Sequence, residues 1–184
     1  MKEKIPFVII FLVGLSILGC LQQSPIDPNA EVPPGDPSFP SQMEYGIHDP
    51  HHILSDPIIA SANEILKRLN DERIAQVAVL IQYGVHHPED YATHYGRYIG
   101  LGEIGKDNGL VYLIRPDVDP QEGRITVSIG RGLPKFTAID AHQLMKDASM
   151  DYINIGGYND GVLSLVKNSD KRLREIYGGR KNGE

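Results

Sequence analysis

Several residue types are scarce in this chain of 184 residues, and each shortage excludes a class of protein. A single cysteine rules out an intramolecular disulfide framework. Basic residues are outnumbered, with 18 Lys and Arg against 24 Asp and Glu, and the formal net charge of −6 argues against a general nucleic-acid binder. The apolar fraction of 41% is too low for a polytopic membrane protein, but it suffices for the core of one domain.

Proline is present but unevenly distributed. Seven of the 13 prolines lie between Pro25 and Pro50, in a stretch without a periodic apolar pattern. Proline-rich segments favour extended, polyproline-like geometry. We therefore predict a proline-rich tether over residues 20–44, a compact domain over residues 45–178 and a polar C-terminal tail over residues 179–184.

Residues 1–19 have the composition of a secretory signal. Lys2 and Lys4 precede an apolar run over residues 5–18, which is shorter than the roughly 20 residues of a spanning helix. The run ends before Cys20 in a sequence that resembles a lipobox, where a small residue precedes the cut and the thiol carries the lipid. The alternative is an uncleaved N-terminal anchor. Both interpretations place the domain at the cell membrane, outside the cytoplasm, and the first makes Cys20 the lipid attachment site.

Apolar periodicity in the remaining chain predicts alternating helices and strands. The predicted helices begin near Ser55, Pro88, Thr137 and either Asn159 or Asp160, and the predicted strands cover residues 74–83, 109–115 and 124–130. This order predicts an α/β fold in which helices cover a small mixed sheet of at least three strands, with a fourth expected.

The predicted topology brings two polar loops together. A strand–helix–strand crossover makes the first two predicted strands parallel, and the short loop at residues 116–123 makes the third antiparallel to the second. The entry to the second strand (Lys106 to Gly109) and the exit of the third (Gly130 to Gly132) must then lie at one end of the sheet. The third helix begins nearby. We expect a site there.

The residues at this end have two interpretations each. Asp107 and Asn108 offer hard oxygen ligands suited to Ca²⁺ or Mg²⁺, although Asp-Asn-Gly is also typical of a simple turn. Arg131, between Gly130 and Gly132, could pair with a phosphate or a partner's carboxylate, or be a solvated loop arginine. Gly109 completes the candidate ligand- or partner-binding set.

Three further patterns are weaker. Thr137 and Asp140 form a T-x-x-D pattern typical of a helix cap, with a metal-ligand role for Asp140 as the alternative. Residues 100–105 match G-x-G-x-x-G, but they follow a helix and precede a strand, so we predict no nucleotide binding. The histidines at positions 48, 51, 52, 86 and 87 match no zinc motif, and we interpret them as exposed loop residues, with a Zn²⁺ or Cu²⁺ site as the alternative.

A series of short motifs along the domain resembles the pattern of a known family. In order along the chain they are Asp49, Leu54-Ser55, Ala75-Gln76-Val77-Ala78-Val79, Tyr91-Ala92, Ile99-Gly100, Lys106-Asp107-Asn108-Gly109, Gly130-Arg131-Gly132-Leu133, Tyr158 and Gly161. With this set, the chain resembles the TPM domain family from about residue 47 to residue 176. Members include a thylakoid-lumen acid phosphatase, a photosystem II repair protein and a modulator of acetylcholine receptors.

The resemblance implies a three-layer α/β/α sandwich around a small mixed sheet. It also implies an extracytoplasmic location, which agrees with the N-terminal signal. Some members are credited with acid phosphatase activity, some bind divalent ions near the acidic end of the sheet, and others act as non-catalytic partners of membrane complexes. Through its family match, Asp49 joins Asp107, Asn108 and Asp140 as a candidate metal ligand.

The chain departs from the family at three places. It has no Trp before the Ile-Gly pair, where Arg97 and Tyr98 stand instead, and Pro134 follows Gly-Leu where a Glu is common. Thr137 and Asp140 are three positions apart, whereas the family pair is contiguous. We therefore do not expect this chain to share a family role that depends on that Glu or on a contiguous Thr-Asp pair.

Two functions follow as expectations. The first is a membrane-anchored module that binds membrane or envelope proteins, with a possible divalent ion at Asp107 and Asn108. The second is a weak metal-dependent acid phosphatase at the same end of the sheet. The domain has no G-x-S-x-G elbow and no cysteine, so a phosphatase would require metal-activated water.

Overall fold

The computed structural model of the chain describes residues 45–179. The predicted signal, Cys20 and the whole predicted tether lie outside these residues, as do residues 180–184. Within the described part, no helix is long and apolar enough to cross a membrane.

The domain contains four strands and four helices, in the order β1-α1-β2-α2-β3-β4-α3-α4. The strands are β1 (Gly46–His48), β2 (Gln76–Ile81), β3 (Gly109–Ile114) and β4 (Ile125–Ile129). The helices are α1 (Asp56–Asp71), α2 (Pro88–Tyr98), α3 (Ala138–Asp151) and α4 (Tyr158–Tyr177), with short 3-10 turns at Pro120–Glu122 and Ile153–Ile155.

The sheet has the strand order β1-β2-β3-β4 and is mixed, as the sequence predicts. β1, β2 and β3 are parallel, and β4 is antiparallel to β3. β2 and β3 lie in the middle with helices on both faces. Their residues are therefore apolar almost throughout instead of alternating with polar ones.

Two apolar clusters lie on opposite faces of the sheet, because successive side chains of a strand point to opposite faces. Val77, Val79 and Ile81 face the larger cluster, which contains α1, α3 and α4. Ala78 and Leu80 face the smaller cluster under α2. This arrangement is the predicted α/β/α sandwich.

The sequence does not locate the edge strand β1, because three residues are too few to show an apolar periodicity. It is held from outside by α1, where the backbone N–H of Ile47 donates to Asn63 Oδ1 at 2.8 Å. Gly46 has φ +114°, and a Cβ there would lie 2.8 Å from Asn63 Oδ1, so the close approach of α1 requires glycine.

The start of α4 differs from the prediction. The residue before its first turn is Gly157, and its side chain cannot cap the helix. Asn159, one of the two predicted caps, accepts a hydrogen bond from the backbone N–H of Ser55 at 3.0 Å instead. That contact joins the beginnings of α1 and α4.

The interpretation of His48 as an exposed loop residue is wrong, because it is a buried residue of β1 that lies between the sheet and α2. Its side chain is 2% exposed, and Nδ1 is hydrogen-bonded to the hydroxyl of Tyr95. Burial lowers the pKa of His48 to about 4, against a smaller raising effect of the Tyr45 backbone. The histidine is therefore neutral in the folded protein at neutral pH.

This burial predicts a loss of stability in mild acid. The unfolded chain takes up a proton at His48 near pH 6.5, whereas the folded chain does so only near pH 4. The unfolding free energy should therefore fall as the pH drops from about 6.5 to about 4, by up to about 3 kcal/mol, and then level off for this group. Denaturant unfolding followed across this pH range measures the loss.

The matched variants are His48→Gln and His142→Gln. Replacing His48 should flatten the pH dependence between pH 6.5 and 4, whereas replacing His142, an exposed histidine of α3, should leave it unchanged. An equal slope in the wild type and in His48→Gln would show that other groups cause the acid sensitivity.

Candidate functional site

The entry to β3 and the exit of β4 lie side by side, as the topology predicts. The backbone N–H of Gly130 donates to Gly109 O at 2.8 Å, and that of Gly132 donates to Asp107 O at 2.9 Å. We call the loops at residues 100–109 and 130–132 the glycine corner. It lies at the end of the sheet where the parallel strands begin.

Asp107 and Arg131 meet at the surface of the glycine corner. Asp107 Oδ2 accepts hydrogen bonds from the backbone N–H of Arg131 at 3.2 Å and from its Nε at 3.1 Å. The side chains are 51% and 66% exposed. An ion pair this exposed contributes at most about 1 kcal/mol to stability, so it presents charge to solvent more than it holds the fold.

Asn108 is a structural clamp. It is 4% exposed, its Oδ1 accepts from the backbone N–H of Glu103 at 2.8 Å, and its Nδ2 donates to Ile74 O at 3.3 Å. A second, longer contact joins Nδ2 to Glu103 Oε1 at 3.4 Å. Both halves of the amide are engaged, and they tie the loop after α2 to the chain that enters β2.

The glycines of the corner serve close packing. A Cβ on Gly132 would lie 1.7 Å from Lys106 O, one on Gly130 would lie 2.2 Å from Asp107 O, and one on Gly109 would lie 2.7 Å from Leu101 O. Real Cβ atoms do not approach backbone oxygens this closely. Packing of backbone against backbone thus accounts for the three glycines that the sequence marks as candidate binding residues.

The G-x-G-x-x-G pattern also has a conformational origin. Gly100, Gly102 and Gly105 all have positive φ values, of +65°, +109° and +79°. They form the turns of the loop between α2 and β3, where no helix begins. The pattern therefore lacks the strand–turn–helix context of a dinucleotide site.

Glu103 is a central residue of the corner that sequence reasoning missed. Its carboxylate, 15% exposed, pairs with Arg73 Nη2 at 2.8 Å and with Lys106 Nζ at 3.0 Å. Burial raises the pKa of Glu103, but the hydrogen bonds and charges of Lys106 and Arg73 lower it by more, so its pKa lies below the ordinary value. The only sequence signal was an acid flanked by turn glycines.

Asp140 forms a helix cap. Its Oδ2 accepts from the backbone N–H of Thr137 at 2.8 Å, while Thr137 Oγ1 accepts from the backbone N–H of Asp140 at 3.3 Å. Oδ1 pairs with Arg172 of α4, with Nη2 at 2.8 Å. The Thr137 backbone hydrogen bond lowers the pKa of Asp140, burial raises it, and Arg172 lowers it further, leaving the pKa below the ordinary value.

Asp49 lies at the other end of the sheet. It directly follows β1, at the end where the three parallel strands finish. Oδ2 accepts from the backbone N–H of Leu54 at 2.7 Å, which orders the turn into α1. Oδ1 is buried without a hydrogen-bond partner.

The histidines at positions 48 and 51 do not converge with Asp49 on a metal site. Nε2 of His51 is 3.3 Å from Gln82 Oε1, and its ring meets Tyr83 edge-on at 4.7 Å between centroids. His48 is buried against Tyr95. Over residues 45–179, no group of three or more His, Cys, Asp or Glu is arranged to hold a metal ion.

The four candidate metal ligands therefore do not form one ligand set. Asn108 uses its amide for the fold, Asp140 uses both carboxylate oxygens for its cap and ion pair, and Asp49 is at the opposite end of the sheet. At the corner, Asp107 Oδ1 is the only carboxylate or amide oxygen of this set without a hydrogen bond in the described part of the chain. At the corner, the described residues therefore offer a metal ion one free carboxylate oxygen, so the remaining ligands of a Ca²⁺ or Mg²⁺ ion would have to be water or groups of a partner.

The comparisons with known proteins agree with this fold. The sequence model of the TPM domain matches residues 47–172. No curated protein sequence is similar enough to the chain to count as a relative.

Solved structures share the architecture at low sequence identity. The N-terminal domain of a protein from P.gingivalis superposes with a TM-score of 0.64 at 19% identity, over 75% of this chain and 87% of that one. The N-terminal domain of a Corynebacterium glutamicum protein gives 0.53 at 13% identity, over 79% and 91%. The BA42 protein of Bizionia argentinensis gives 0.52 at 10% identity, over 70% and 87%. At these identities the likeness concerns the fold.

The packing of the glycine corner predicts a large cost for one methyl group. Gly132→Ala should lower the unfolding free energy by about 3 kcal/mol or more, because the Cβ would overlap Lys106 O and the two backbones would have to separate. The control, Gly105→Ala, places a Cβ in open space and should cost about 1–2 kcal/mol from its positive φ alone. Denaturant unfolding of both variants tests the ranking, and equal losses would contradict it.

The cap at α3 predicts a second stability effect. Asp140→Ala should lower the unfolding free energy by about 1–2 kcal/mol, because it removes the capping contacts of Thr137 and the ion pair with Arg172. Asp151→Ala, which removes an exposed acid at the far end of the same helix, should change it by less than about 0.5 kcal/mol. A neutral Asp140→Ala would show that the helix does not need this cap.

Proposed function

The chain belongs to the TPM domain family, and from that premise we propose that it is a binding module which recognises proteins of the membrane or cell envelope through the glycine corner. The observation that carries the proposal is the exposed pair of Asp107 and Arg131 on a tightly braced backbone. A charged group held in a fixed place contributes specificity at low entropic cost when a partner binds.

Arg131 has unused hydrogen-bonding capacity. Its Nε and backbone N–H donate to Asp107, whereas the two terminal guanidinium nitrogens donate to no described residue. These nitrogens form the fork that binds a carboxylate or phosphate in bidentate fashion. Asp107 Oδ1 remains as an acceptor beside them. The corner therefore offers one donor fork and one acceptor to a polar partner surface.

The backbone around this pair is rigid for identifiable reasons. Asn108 clamps the loop to the entry of β2, Glu103 is held by Arg73 and Lys106, and the glycines allow the loops to interlock. Such bracing suits a recognition surface, because a loop that is already ordered loses little conformational entropy on binding.

The proposal includes attachment to the outer face of the cell membrane. Cleavage before Cys20 and lipidation of its thiol would anchor the chain, and the proline-rich residues 20–44 would hold the domain away from the lipid surface. An uncleaved apolar segment is the alternative anchor. The net negative charge of the chain would not by itself favour contact with an anionic surface.

A metal-dependent phosphomonoesterase is the second candidate, and Asp49 is the observation that favours it. Its buried Oδ1 lacks a partner, and it lies outside the carboxyl ends of the parallel strands, where open α/β sheets commonly bind ligands. The sequence analysis put this candidate at the glycine corner, whereas Asp49 puts it at the other end of the sheet, so variants separate the two functions.

Site-directed photo-crosslinking in intact cells tests the binding function. A photoreactive side chain at Lys135, an exposed position shortly after the glycine corner, should capture membrane or envelope proteins. Adding Arg131→Gln should reduce the capture about tenfold, since a charge-assisted hydrogen bond contributes about 1.5–3 kcal/mol. Mass spectrometry of the products measures both.

The matched control places the photoreactive group at Asp90, near the start of α2 and thus at the opposite end of the sheet. Equal capture from both positions, or capture that Arg131→Gln leaves unchanged, would overturn the proposed surface. Phosphomonoester hydrolysis in Ca²⁺, Mg²⁺ or Mn²⁺ that Asp49→Asn abolishes and Asp107→Asn preserves would instead favour the phosphatase.

A further inference from the structure

β4 is an edge strand whose outer side has no partner among residues 45–179. Two backbone hydrogen bonds, each 2.8 Å long, mark the ends of the pairing between β4 and β3. Arg115 N–H donates to Arg124 O at one end, and Gly130 N–H donates to Gly109 O at the other. Because antiparallel residues alternate between inward and outward backbone groups, Thr126 and Ser128 bond to β3. The N–H and C=O groups of residues 125, 127 and 129 therefore point away from the sheet.

The two edges of the sheet differ in protection. At the other edge, β1 has only three residues, and Asn63 of α1 takes up the outward N–H of Ile47. β4 has five residues in unbroken register with β3 and contains no charge, no proline and no bulge. Those are the usual devices by which proteins prevent edge strands from pairing.

The sequence of β4 is complementary to itself. Around Val127, the strand Ile-Thr-Val-Ser-Ile reads almost identically in both directions. If two copies of β4 run antiparallel with Val127 opposite Val127, each Ile125 faces an Ile129 and each Thr126 faces a Ser128. Apolar pairs and Thr–Ser pairs are both stabilising cross-strand neighbours.

The hydrogen-bond alternation is compatible with this register. Residues 125, 127 and 129 carry the outward groups, so the pairs 127–127 and 125–129 become hydrogen-bonded pairs, each exchanging two bonds. The pairs of Thr126 with Ser128 then fall at the closer, non-bonded positions, where side chains meet best. Backbone alternation excludes registers that pair an outward residue with an inward one, and the sequence symmetry singles out Val127 as the centre among those that remain.

The faces of such a continuous sheet also match. Ile125, Val127 and Ile129 are only partly buried, and all three pack on the side of α1, α3 and α4. A two-fold axis perpendicular to the sheet keeps each face on its own side, so these apolar side chains would cover those of the second copy. Pairing would thus remove half-exposed apolar surface from water as well as satisfy the backbone.

We infer that this protein self-associates through β4, which pairs antiparallel with β4 of a second copy, Val127 opposite Val127, to give one sheet across both molecules. The inference is independent of the proposed binding function. It concerns the edge of the sheet, whereas the glycine corner lies at one end. Cross-linking and sedimentation of the full chain test it.

Disulfide trapping tests the register. In the full chain with Cys20→Ser, purified in detergent, Val127→Cys places two thiols on Cα atoms about 5.5 Å apart, within disulfide range. Ser128→Cys is the matched control, because its own copies would be about 8 Å apart by strand spacing, beyond the limit of about 7 Å. Under mild oxidation, Val127→Cys should form at least about five times more covalent dimer than Ser128→Cys.

A proline variant tests the backbone bonds. Val127→Pro removes an outward N–H and leaves the ladder with β3 intact, as proline does on edge strands. In detergent-matched sedimentation the wild type and the control Val127→Thr should be dimeric, and Val127→Pro monomeric with unchanged circular dichroism. If Val127→Pro fails to fold, the cysteine pair decides.

Two results would overturn the inference. One is a wild type that remains monomeric at all concentrations while Val127→Cys cross-links no better than Ser128→Cys. The other is a folded Val127→Pro that dimerises as well as the wild type. If β4 instead pairs with a strand of a different protein, the wild type would again be monomeric and Val127→Cys would again fail to cross-link. That outcome would also reject self-pairing.

Discussion

The close contact between two backbone segments, residues 106–109 and residues 130–132, is the constraint on which the rest of the structure depends. No side-chain atom separates the two segments, and Lys106 O and Asp107 O occupy the space that Cβ atoms of Gly132 and Gly130 would need. This contact fixes where β4 leaves the sheet and where the chain turns towards α3. It also sets the distance between Asp107 and Arg131, since both side chains project from the segments in contact.

The sequence predicted this convergence from strand order alone. One crossover helix and one short loop were enough to place the entry of β3 beside the exit of β4, because the directions of parallel and antiparallel neighbours leave no other choice. The sandwich and the family followed from ordered short motifs. What could not be predicted was the use of each polar group, because hydrogen-bond partners come from distant positions. Asn108 binds Glu103 and the backbone of Ile74, and Asp140 binds Arg172 across to α4. Their residue types suggest metal ligands, but in the folded chain their polar atoms are used in hydrogen bonds and ion pairs that stabilise the fold.

The missed and misassigned features share a physical cause. β1 is too short to show a period, and it persists because α1 supplies Asn63 to its open side. The predicted cap of α4 fails because Asn159 is drawn to Ser55, which joins two helix starts that lie 104 positions apart in sequence. In the sequence, nothing distinguishes Glu103 from its neighbours in a glycine-rich loop. Its ion pair with Arg73 forms only when the chain folds. In each case a contact of long sequence separation outweighs a local preference.

The two ends and the open edge of the sheet divide the chemistry of the domain. In the glycine corner, Asn108 and Glu103 hold the loops in place, and the pair of Asp107 and Arg131 is exposed to solvent. The opposite end keeps a buried, unpaired oxygen of Asp49 next to the starts of α1 and α4. The edge offers backbone groups instead of side chains, so it can recognise only another strand. The corner presents side chains and the free edge presents backbone, so under our two proposals the domain would bind a partner at the corner while it pairs with a second copy at the edge. Self-association at β4 would also place two copies of the corner on one assembly, which raises the apparent affinity for a partner that presents two sites without any new contact at either corner.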